Sequence, residues 1–465
     1  MFGTEPRATP GRTPLGHGQG RRNPTPRQSG GAVRFPTSGR RIGAPPSGVA
    51  TALCLIVAGC APGDASDPSA DALAGSGAPS VPSVRPGIEV LLSDSLDLVR
   101  ERNVGLITNH TGVDASGSSS IDRLYTHPEV DLVALFSPEH GIRGTAGAGA
   151  PVGQEVDSGT GLLIHSLYGA TLKPTPQMLQ DVEVLLFDIQ DIGTRYYTYI
   201  STMALAMEAA GEQRIPFVVL DRPNPIGGVQ VQGNVLDPAF ASFVGRYPIP
   251  MRHGMTPGEL ARLFAGEFGV SVELHVVPMD GWRRDMLFTD TGLPWLPPSP
   301  NMPDLESALH YPGTCLFEGT DLSVGRGTER PFQWVGAPWL DGDELARRMT
   351  DRSIPGVAFH PAVFTPRAPG DGKFDGAEVR GVRLEVTDPD LYDPVHAGIA
   401  LLVEARRMSG DRWRWNVEHF DRLAGTNRVR LGVEEGRNVP ELTQGWAEEL
   451  RAFESRRQRS VLYGP

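Results

Sequence analysis

Cysteine is scarce in this sequence, with three residues among 465: Cys54, Cys60 and Cys315. So few cysteines cannot form a framework of disulfides. Two of them lie in an N-terminal apolar segment, so the rest of the chain keeps only Cys315. This excludes a zinc site built from cysteines, and a lone cysteine is more often a small buried apolar residue than a nucleophile.

Positive charge is also in short supply. The chain carries 43 Lys and Arg against 55 Asp and Glu, which gives a net charge of -12 and a pI of about 5.4. Proteins that bind nucleic acid need a broad basic surface, so we expect no nucleic-acid partner. An anionic ligand would have to be bound by individual arginines.

Several motifs of cofactor and metal enzymes are missing. No G-x-G-x-x-G follows the first predicted strand and no phosphate-binding P-loop is present, so nothing indicates a nucleotide cofactor. The H-E-x-x-H spacing of zinc hydrolases is absent, as is the G-x-S-x-G turn of serine esterases. We therefore expect neither a metal nor a cofactor.

The N-terminal 60 residues have the features of an export signal rather than of a folded domain. Residues 1–48 are rich in Gly, Pro, Arg, Ser and Thr, a composition typical of disorder. Arg40-Arg41 are followed by the apolar run Val49–Ala58 and then by Gly59-Cys60. Basic residues, a short apolar run and small residues before a cysteine are typical of a secretory signal, and the ending resembles a bacterial lipobox. We expect an exported protein of the periplasm or cell envelope, lipid-anchored at Cys60.

An uncleaved signal-anchor or a chance apolar patch is the alternative for this segment, although the run is too short to span a bilayer as a stable helix. Residues 61–85 are rich in Ala, Gly, Pro, Ser and Asp and are predicted to be a flexible linker. Contact with a membrane is expected only through the N-terminal lipid.

Short apolar runs alternate with helical patterns from Gly87 onward. Nearly continuous apolar runs are typical of a parallel sheet that is covered on both faces. The predicted strands are Val104–Thr108, Leu132–Phe136, Val182–Phe187 and Pro216–Leu220. The predicted helices between them are Ile121–Thr126, Thr175–Gln180 and Tyr199–Ala210. This alternation predicts an α/β fold with a doubly wound, mostly parallel sheet.

The second half of the chain has a different pattern. A helix is predicted over Gly254–Phe268, because Thr256 and Glu259 have the spacing of a capping box. Residues 281–335 are rich in Gly and Pro and are predicted to be mostly loops. Beyond them, the predicted elements are a helix at Asp341–Thr350, strands at Gly356–Pro361 and Gly381–Thr387, and a helix at Pro394–Met408. We expect a main domain over residues 86–335 and a smaller α+β domain over residues 336–465 that closes a cleft.

Polar residues follow each of the four predicted strands. They are Asn109, Glu139 with His140, Asp188 with Gln190, and Asn224. Because the carboxyl ends of parallel strands meet at one edge of a sheet, where ligands of open α/β sheets bind, we expect a site there. The amides of Asn109, Gln190 and Asn224 are candidate substrate ligands.

The segment Ser137-Pro138-Glu139-His140-Gly141 carries the strongest candidate for catalysis. A glycosidase needs a carboxylic acid that protonates the leaving oxygen, and Glu139 is held between a proline and a glycine. His140 could orient Glu139 or act as its acid/base partner. The alternative is a structural turn with a packed histidine.

Two further segments are dense in polar and aromatic residues. Phe187–Tyr199 holds Asp188, Arg195 and Tyr196, which could bind a sugar and its carboxylate. Its alternative is a helix start with tyrosines in the core.

In Tyr311–Phe332, Glu318 is a candidate second carboxylate and Arg326 a candidate anion ligand. The turn at Asn301 could extend the same edge, and a structural loop is the alternative.

Taken together, these segments resemble the exo-β-N-acetylmuramidase family of the NamZ/YbbC-like type. The similarity covers roughly residues 87–430. The matching stretches are Gly105–Val113, Phe136–Gly144, Ser166–Gly169, Lys173–Pro176, Phe187–Thr202, Val219–Gly228, Arg252–Met255, Pro298–Pro303 and Tyr311–Gly327.

The resemblance implies a Rossmann-like domain, a smaller C-terminal domain and a cleft between them. It also implies release of N-acetylmuramic acid from the non-reducing end of peptidoglycan-derived muropeptides or disaccharides, with Glu139 as the acid. Arg143, Arg195 or Arg326 would then bind the lactyl carboxylate.

The partner of Glu139 stays open at this stage. It could be a protein carboxylate, Asp188 or Glu318, or the acetamide of the substrate itself. A non-catalytic lipoprotein that binds cell-wall fragments is the alternative function.

Overall fold

The computed structural model describes residues 84–143 and 155–465. The predicted signal, Cys60 and nearly all of the predicted linker lie outside these described residues. Within the two described ranges, no helix has the length and apolar character that crossing a membrane requires.

Helices and strands alternate over the first half of the described chain, and helices dominate its end. The strands are β1 Asn103–Thr108, β2 Asp131–Ser137, β3 Glu155–Val156, β4 Leu163–Ser166, β5 Val184–Asp188, β6 Phe217–Leu220, β7 Gln232–Val235, β8 Pro250–Arg252, β9 Leu274–Val277, β10 Trp334–Ala337, β11 Val357–Phe364 and β12 Val379–Val386. The helices are α1 Gly87–Asp94, α2 Ser120–Tyr125, α3 Tyr199–Gln213, α4 Pro257–Glu267, α5 Leu305–Thr314, α6 Gly342–Asp351, α7 Pro394–Ser409, α8 Val417–Ala424, α9 Arg428–Glu434, α10 Val439–Leu442 and α11 Trp446–Arg457.

A seven-stranded sheet in the order β3-β4-β2-β1-β5-β6-β9 forms the centre of the molecule. All neighbouring strands are parallel except β3 and β4, which pair antiparallel. The chain builds outward from β1 through β2 to β4, then returns to the other side of β1 with β5. The strand order therefore reverses between β1 and β5, and the predicted α/β class is confirmed.

Both faces of this sheet are buried, which explains the continuous apolar runs in its strands. Leu106, Leu186 and Val218 pack with α1 and α2 on one face. Their chain neighbours Ile107, Phe187 and Val219 point to the opposite face, where they belong to the same core as α3 and α4. Side chains alternate along a strand, so a strand covered on both sides needs apolar residues at every position.

A smaller antiparallel sheet, in the order β10-β12-β11, lies in the second half of the chain. Helix α6 packs on this sheet, and α7 packs on α5 and α6. The end of the chain returns to the large sheet. There the hydroxyl of Tyr463 donates to Asp221, just after β6, at 2.6 Å.

With one exception, the predicted strands and helices are present, but strands β3, β4 and β7 to β10 and helix α1 were not predicted. The helix predicted over Thr175–Gln180 is wrong, because the chain forms turns there, with Met178 N donating to Thr175 O. Helix α5 lies in the region predicted to be mostly loops, and α8 to α11 were not predicted. The capping box of α4 is present: Thr256 Oγ1 accepts from Glu259 N, and Glu259 Oε2 accepts from Thr256 N.

Candidate active site

A cleft of about 270 Å³ lies beyond the carboxyl ends of β2, β4 and β5. Its walls combine residues that follow these strands with residues from α5, the loops after it and α8. The lining residues are Glu139, His140, Tyr168, Tyr196, Tyr197, Thr198, Tyr199, Phe243, Val244, Ser299, Asn301, Tyr311, Glu318, Arg326, Phe332, His419 and Leu423.

Glu139 enters this cleft from a tight turn that follows β2. Gly141 N donates to Pro138 O at 3.1 Å, which closes the turn. Both residues after Glu139 have left-handed backbone conformations, with φ of 73° at His140 and 74° at Gly141. A non-glycine residue in this region costs free energy and is concentrated at functional sites. The turn holds Glu139 and His140, both buried, at the wall of the cleft.

Two hydroxyl groups contact the Glu139 carboxylate. Thr198 Oγ1 donates to Glu139 Oε2 at 2.7 Å, and the Tyr168 side chain makes a second hydrogen bond with Glu139. Burial, the negative charge of Glu139 and this hydrogen bond raise the pKa of Tyr168 to about 12. Tyr168 is therefore a neutral phenol throughout the range in which enzymes work, and it keeps its proton for Glu139.

Tyrosine rings form much of the wall of the cleft. Tyr197 packs edge-on against Tyr199 and Tyr311, with ring centroids 5.1 and 5.8 Å apart. The hydroxyl of Tyr199 donates to Pro298 O at 2.5 Å, and that of Tyr196 donates to Pro312 O. Burial raises the pKa of all four phenols, so they present neutral aromatic surface.

An ion pair between two charged side chains also lines the cleft. Arg326 Nε donates to Glu318 Oε1, and the guanidinium of Arg326 lies over the ring of Phe332, 5.2 Å from its centroid. Burial opposes the ionised form of Glu318, but the adjacent charge of Arg326 holds the pKa of Glu318 below its ordinary value. Both members of the pair are consequently charged.

His419 of α8 approaches the same wall from the end of the chain. Burial lowers the pKa of His419 and outweighs the opposing charge of Glu318, so its imidazole is neutral around pH 7. Nothing in the local sequence marks this histidine, because more than 90 residues separate it from Arg326.

The expectation that Asp188 takes part in catalysis is corrected. Asp188 is 1% exposed and does not line the cleft. Its two carboxylate oxygens accept hydrogen bonds from Arg222 Nε and Ser120 Oγ. Asp188 thus forms a buried ion pair below the edge of the sheet.

Three amide side chains predicted as substrate ligands are engaged by the protein itself. The Asn109 side-chain oxygen accepts from Thr111, and Asn224 Nδ2 donates to Met255 O at 3.1 Å. Gln190 Nε2 donates to the main-chain oxygens of Asp191 and Pro223. These amides hold the loops that follow β1, β5 and β6 in place, and they do not line the cleft.

Two of the three candidate arginines also lie elsewhere. Arg195 is 1% exposed, and its guanidinium donates to four main-chain oxygens, those of Asn234, Ile249, Leu423 and Ala424. Arg143 is exposed and pairs with Asp157 at 2.6 Å. Only Arg326 of the three lines the cleft.

The structure thus brings six of the predicted residues to one cleft: Glu139, His140, Tyr196, Asn301, Glu318 and Arg326. It adds Tyr168, Thr198 and His419, which were not predicted as site residues. Tyr168 and Thr198 lie in the stretches that carry the family resemblance, so that signal was available. Over the described ranges, no group of three or more His, Cys, Asp or Glu residues is arranged to hold a metal ion.

A carboxyl group in a cleft walled by aromatic rings, at the edge of an α/β sheet, is the construction of a sugar-cleaving enzyme, since glycosidases act through carboxyl groups. These features define the class: an α/β enzyme of the glycoside hydrolase type.

Comparison with known proteins then gives the family. Residues 104–306 match the family model for the N-terminal part of the exo-β-N-acetylmuramidase NamZ, and residues 309–463 match the model for its C-terminal part. The peptidoglycan β-N-acetylmuramidase NamZ of Bacillus subtilis strain 168 is 47% identical over 383 residues, which cover 82% of this chain and 92% of that protein. This chain belongs to the exo-β-N-acetylmuramidase NamZ family.

Solved structures agree with this placement. Two DUF1343 family proteins of Bacteroides fragilis NCTC 9343 share the fold, with TM-scores of 0.76 and 0.67 and identities of 39% and 33%. Each comparison covers 82% of this chain and 99% of the other.

Proposed function

We propose that this enzyme releases N-acetylmuramic acid from the non-reducing end of peptidoglycan fragments, and that Glu139 is its general acid. The observation that carries the proposal is the position of Glu139: a buried carboxyl group at a strand end, on the wall of an aromatic cleft. The B. subtilis relative is named for β-N-acetylmuramidase activity on peptidoglycan, which supports the substrate. His140, the neighbour of Glu139 in the same turn, would orient the acid.

Arg326 is proposed to bind the lactyl carboxylate that distinguishes muramic acid from glucosamine. Among the candidate arginines Arg326 alone lines the cleft, while Arg195 is occupied by four carbonyl groups. An arginine side chain suits a carboxylate because its planar donors match the two oxygens.

Glu318 is proposed to hold Arg326 rather than to act as a second catalytic carboxyl. The charge of Arg326 favours the ionised form of Glu318, which suits neither a proton donor nor an unengaged nucleophile. This assignment leaves the substrate's own acetamide as the candidate for assisting departure of the leaving group.

The test uses the purified enzyme and the disaccharide N-acetylmuramyl-β-1,4-N-acetylglucosamine. Mass spectrometry of the products should show free N-acetylmuramic acid, and longer chains that begin with N-acetylmuramic acid should lose that one terminal residue, because the next residue is N-acetylglucosamine. Glu139→Gln should reduce kcat by about 10²- to 10⁴-fold, the usual contribution of a general acid. The exposed Glu378→Gln is the matched control. Internal cleavage of longer chains, or full activity of Glu139→Gln, would contradict the proposal.

We also propose that the protein is exported and lipid-anchored at Cys60, on the strength of the sequence pattern Val57-Ala58-Gly59-Cys60 alone. Membrane fractionation and processing that globomycin blocks should both depend on Cys60. If Cys60→Ser gives the same fractionation and processing as the wild type, the anchor is not there.

A further inference from the structure

Thr198 occupies the N-cap position of α3, yet its side chain makes no capping hydrogen bond. Threonine is common at this position because its oxygen accepts from the first free N–H groups of a helix. Several polar N-caps in the described chain do so: Asp341, for example, accepts from Glu344 N at 3.0 Å, whereas Asn427 at the start of α9 does not. The hydroxyl of Thr198 instead turns to Glu139 Oε2 at 2.7 Å.

Tyr168 approaches Glu139 from a different strand. It follows β4, whereas Thr198 precedes α3, so the two hydroxyl groups belong to segments 30 residues apart in the chain. The ring of Tyr168 is fixed against Phe243, with centroids 6.0 Å apart, and its hydroxyl bonds to Glu139. Both residues line the cleft.

Both contacts are hydrogen bonds between a hydroxyl group and the Glu139 carboxylate. An O–H group that donates to a carboxylate fixes its rotamer and stabilises its ionised form. The beginning of a 15-residue helix adds a favourable potential for negative charge at the same place. Glu139 lies on a strained turn, so its side chain has no regular element of its own to hold it.

We propose that Thr198 and Tyr168 are positioning residues that hold the Glu139 carboxyl in place and stabilise the carboxylate that forms as its proton passes to the leaving oxygen. This inference rests on the proposed role of Glu139 as the acid. The hydroxyl of Thr198 makes this contact and does not cap α3.

The experiment compares Thr198→Val, Thr198→Ser and Tyr168→Phe in the full chain, with the muramyl disaccharide as substrate. Thr198→Val and Tyr168→Phe should each lower kcat by about tenfold to a hundredfold, the effect of one hydrogen bond to a charged group, with little change in KM. Thr198→Ser should restore kcat. Because loss of a donor disfavours the ionised carboxyl, the alkaline limb of the kcat/KM profile should move to higher pH in both defective variants.

Two controls separate positioning from folding. Asp341→Ala removes a side-chain cap outside the cleft and should lower the melting temperature without changing kcat. Thr198→Val should lower kcat and leave the melting temperature nearly unchanged. In a Glu139→Gln background, Thr198→Val should cause no further loss, because the acid that the hydroxyl holds in place has already been removed.

The outcomes distinguish the positioning role of Thr198 and Tyr168 from the proposed role of Glu139 as the general acid. Activity retained in Glu139→Gln overturns the role of the acid itself. A defective Glu139→Gln together with wild-type kcat and pH profile in Thr198→Val and Tyr168→Phe overturns only the positioning role. Additive losses in the double variant also overturn it.

Discussion

Arg326 and Glu318 form a charged pair that lines the same cleft as Glu139, and the ring of Phe332 packs against the guanidinium. The pair is 12% and 14% exposed, so it is shielded from the salt that weakens surface ion pairs. It provides the cleft with a fixed cationic group on an otherwise aromatic wall.

Replacing Arg326 should lower activity on substrates that carry the lactyl carboxylate much more than activity on substrates that lack it. Arg326→Gln should lower kcat/KM for a β-N-acetylmuraminide by about 10- to 100-fold, the value of a charged hydrogen bond. The corresponding β-N-acetylglucosaminide lacks the lactyl carboxylate and should lose little. Parallel kinetics on the two substrates make the check, with Arg143→Gln as the control. Equal losses on both substrates would remove Arg326 as the carboxylate ligand.

Arg195 should matter for stability rather than for substrate binding. Arg195→Met removes four hydrogen bonds to buried carbonyl groups and should lower the free energy of unfolding by at least about 3 kcal/mol. Arg143→Met, which removes one exposed ion pair, should cost no more than about 1 kcal/mol. Urea unfolding measures both. A normal unfolding curve with a raised KM for Arg195→Met would return this arginine to the binding site.

Asp191 should make stability fall as the pH rises. Burial raises the pKa of this fully buried carboxyl to about 7, despite hydrogen bonds from Gly193 N and Ile192 N that oppose the shift. The folded state therefore favours the protonated form. The contribution of protonated Asp191 to the free energy of unfolding is complete below about pH 4, where aspartate titrates in the unfolded chain. It is lost as the pH rises through 7, a change on the order of 4 kcal/mol.

Asp191→Asn removes this dependence, so the variant should gain stability relative to the wild type between pH 4 and pH 8. Asp114→Asn is the opposite control. Burial of Asp114 is outweighed by hydrogen bonds from Ser116 and Ser118 and by Arg123, which lower its pKa. That variant should therefore be less stable than the wild type by a nearly constant amount between pH 4 and pH 8, and the difference should shrink only at lower pH. Melting temperatures at pH 4, 6 and 8 decide, and parallel curves for wild type and Asp191→Asn would contradict the assignment.

The sequence predicted four of the seven strands of the large sheet, β1, β2, β5 and β6, because strands that are buried on both faces have consecutive apolar residues. Leu106 and Ile107 pack on opposite sides, so the strand needs no alternation and stands out from its surroundings. The segment at Thr175–Gln180 failed for a local reason. Its prolines and short length allow only turns, and a helix of one turn and a half has too few hydrogen bonds to persist without packing.

The site was predicted less completely, because chain position does not fix side-chain direction. Polar residues do follow each strand, as expected, but Asp188 and Asn224 turn back to bind the protein while Glu139 points into the cleft. Arg195 was predicted to bind substrate because an arginine has donors for several oxygens. In the structure, the same donors bind main-chain oxygens instead. His419 reaches the cleft only through the packing of α8, which no local pattern reports.

The central claim is that Glu139 delivers the proton to the leaving oxygen. The most direct test is whether the loss of kcat in Glu139→Gln depends on the leaving group of the substrate. Glu139→Gln and wild type should be compared on the muramyl disaccharide and on 2,4-dinitrophenyl β-N-acetylmuraminide, whose leaving group departs without a proton. We predict a loss of about 10²- to 10⁴-fold in kcat on the disaccharide and a much smaller loss on the dinitrophenyl substrate. Equal losses on the two substrates would contradict the role of Glu139 as the general acid.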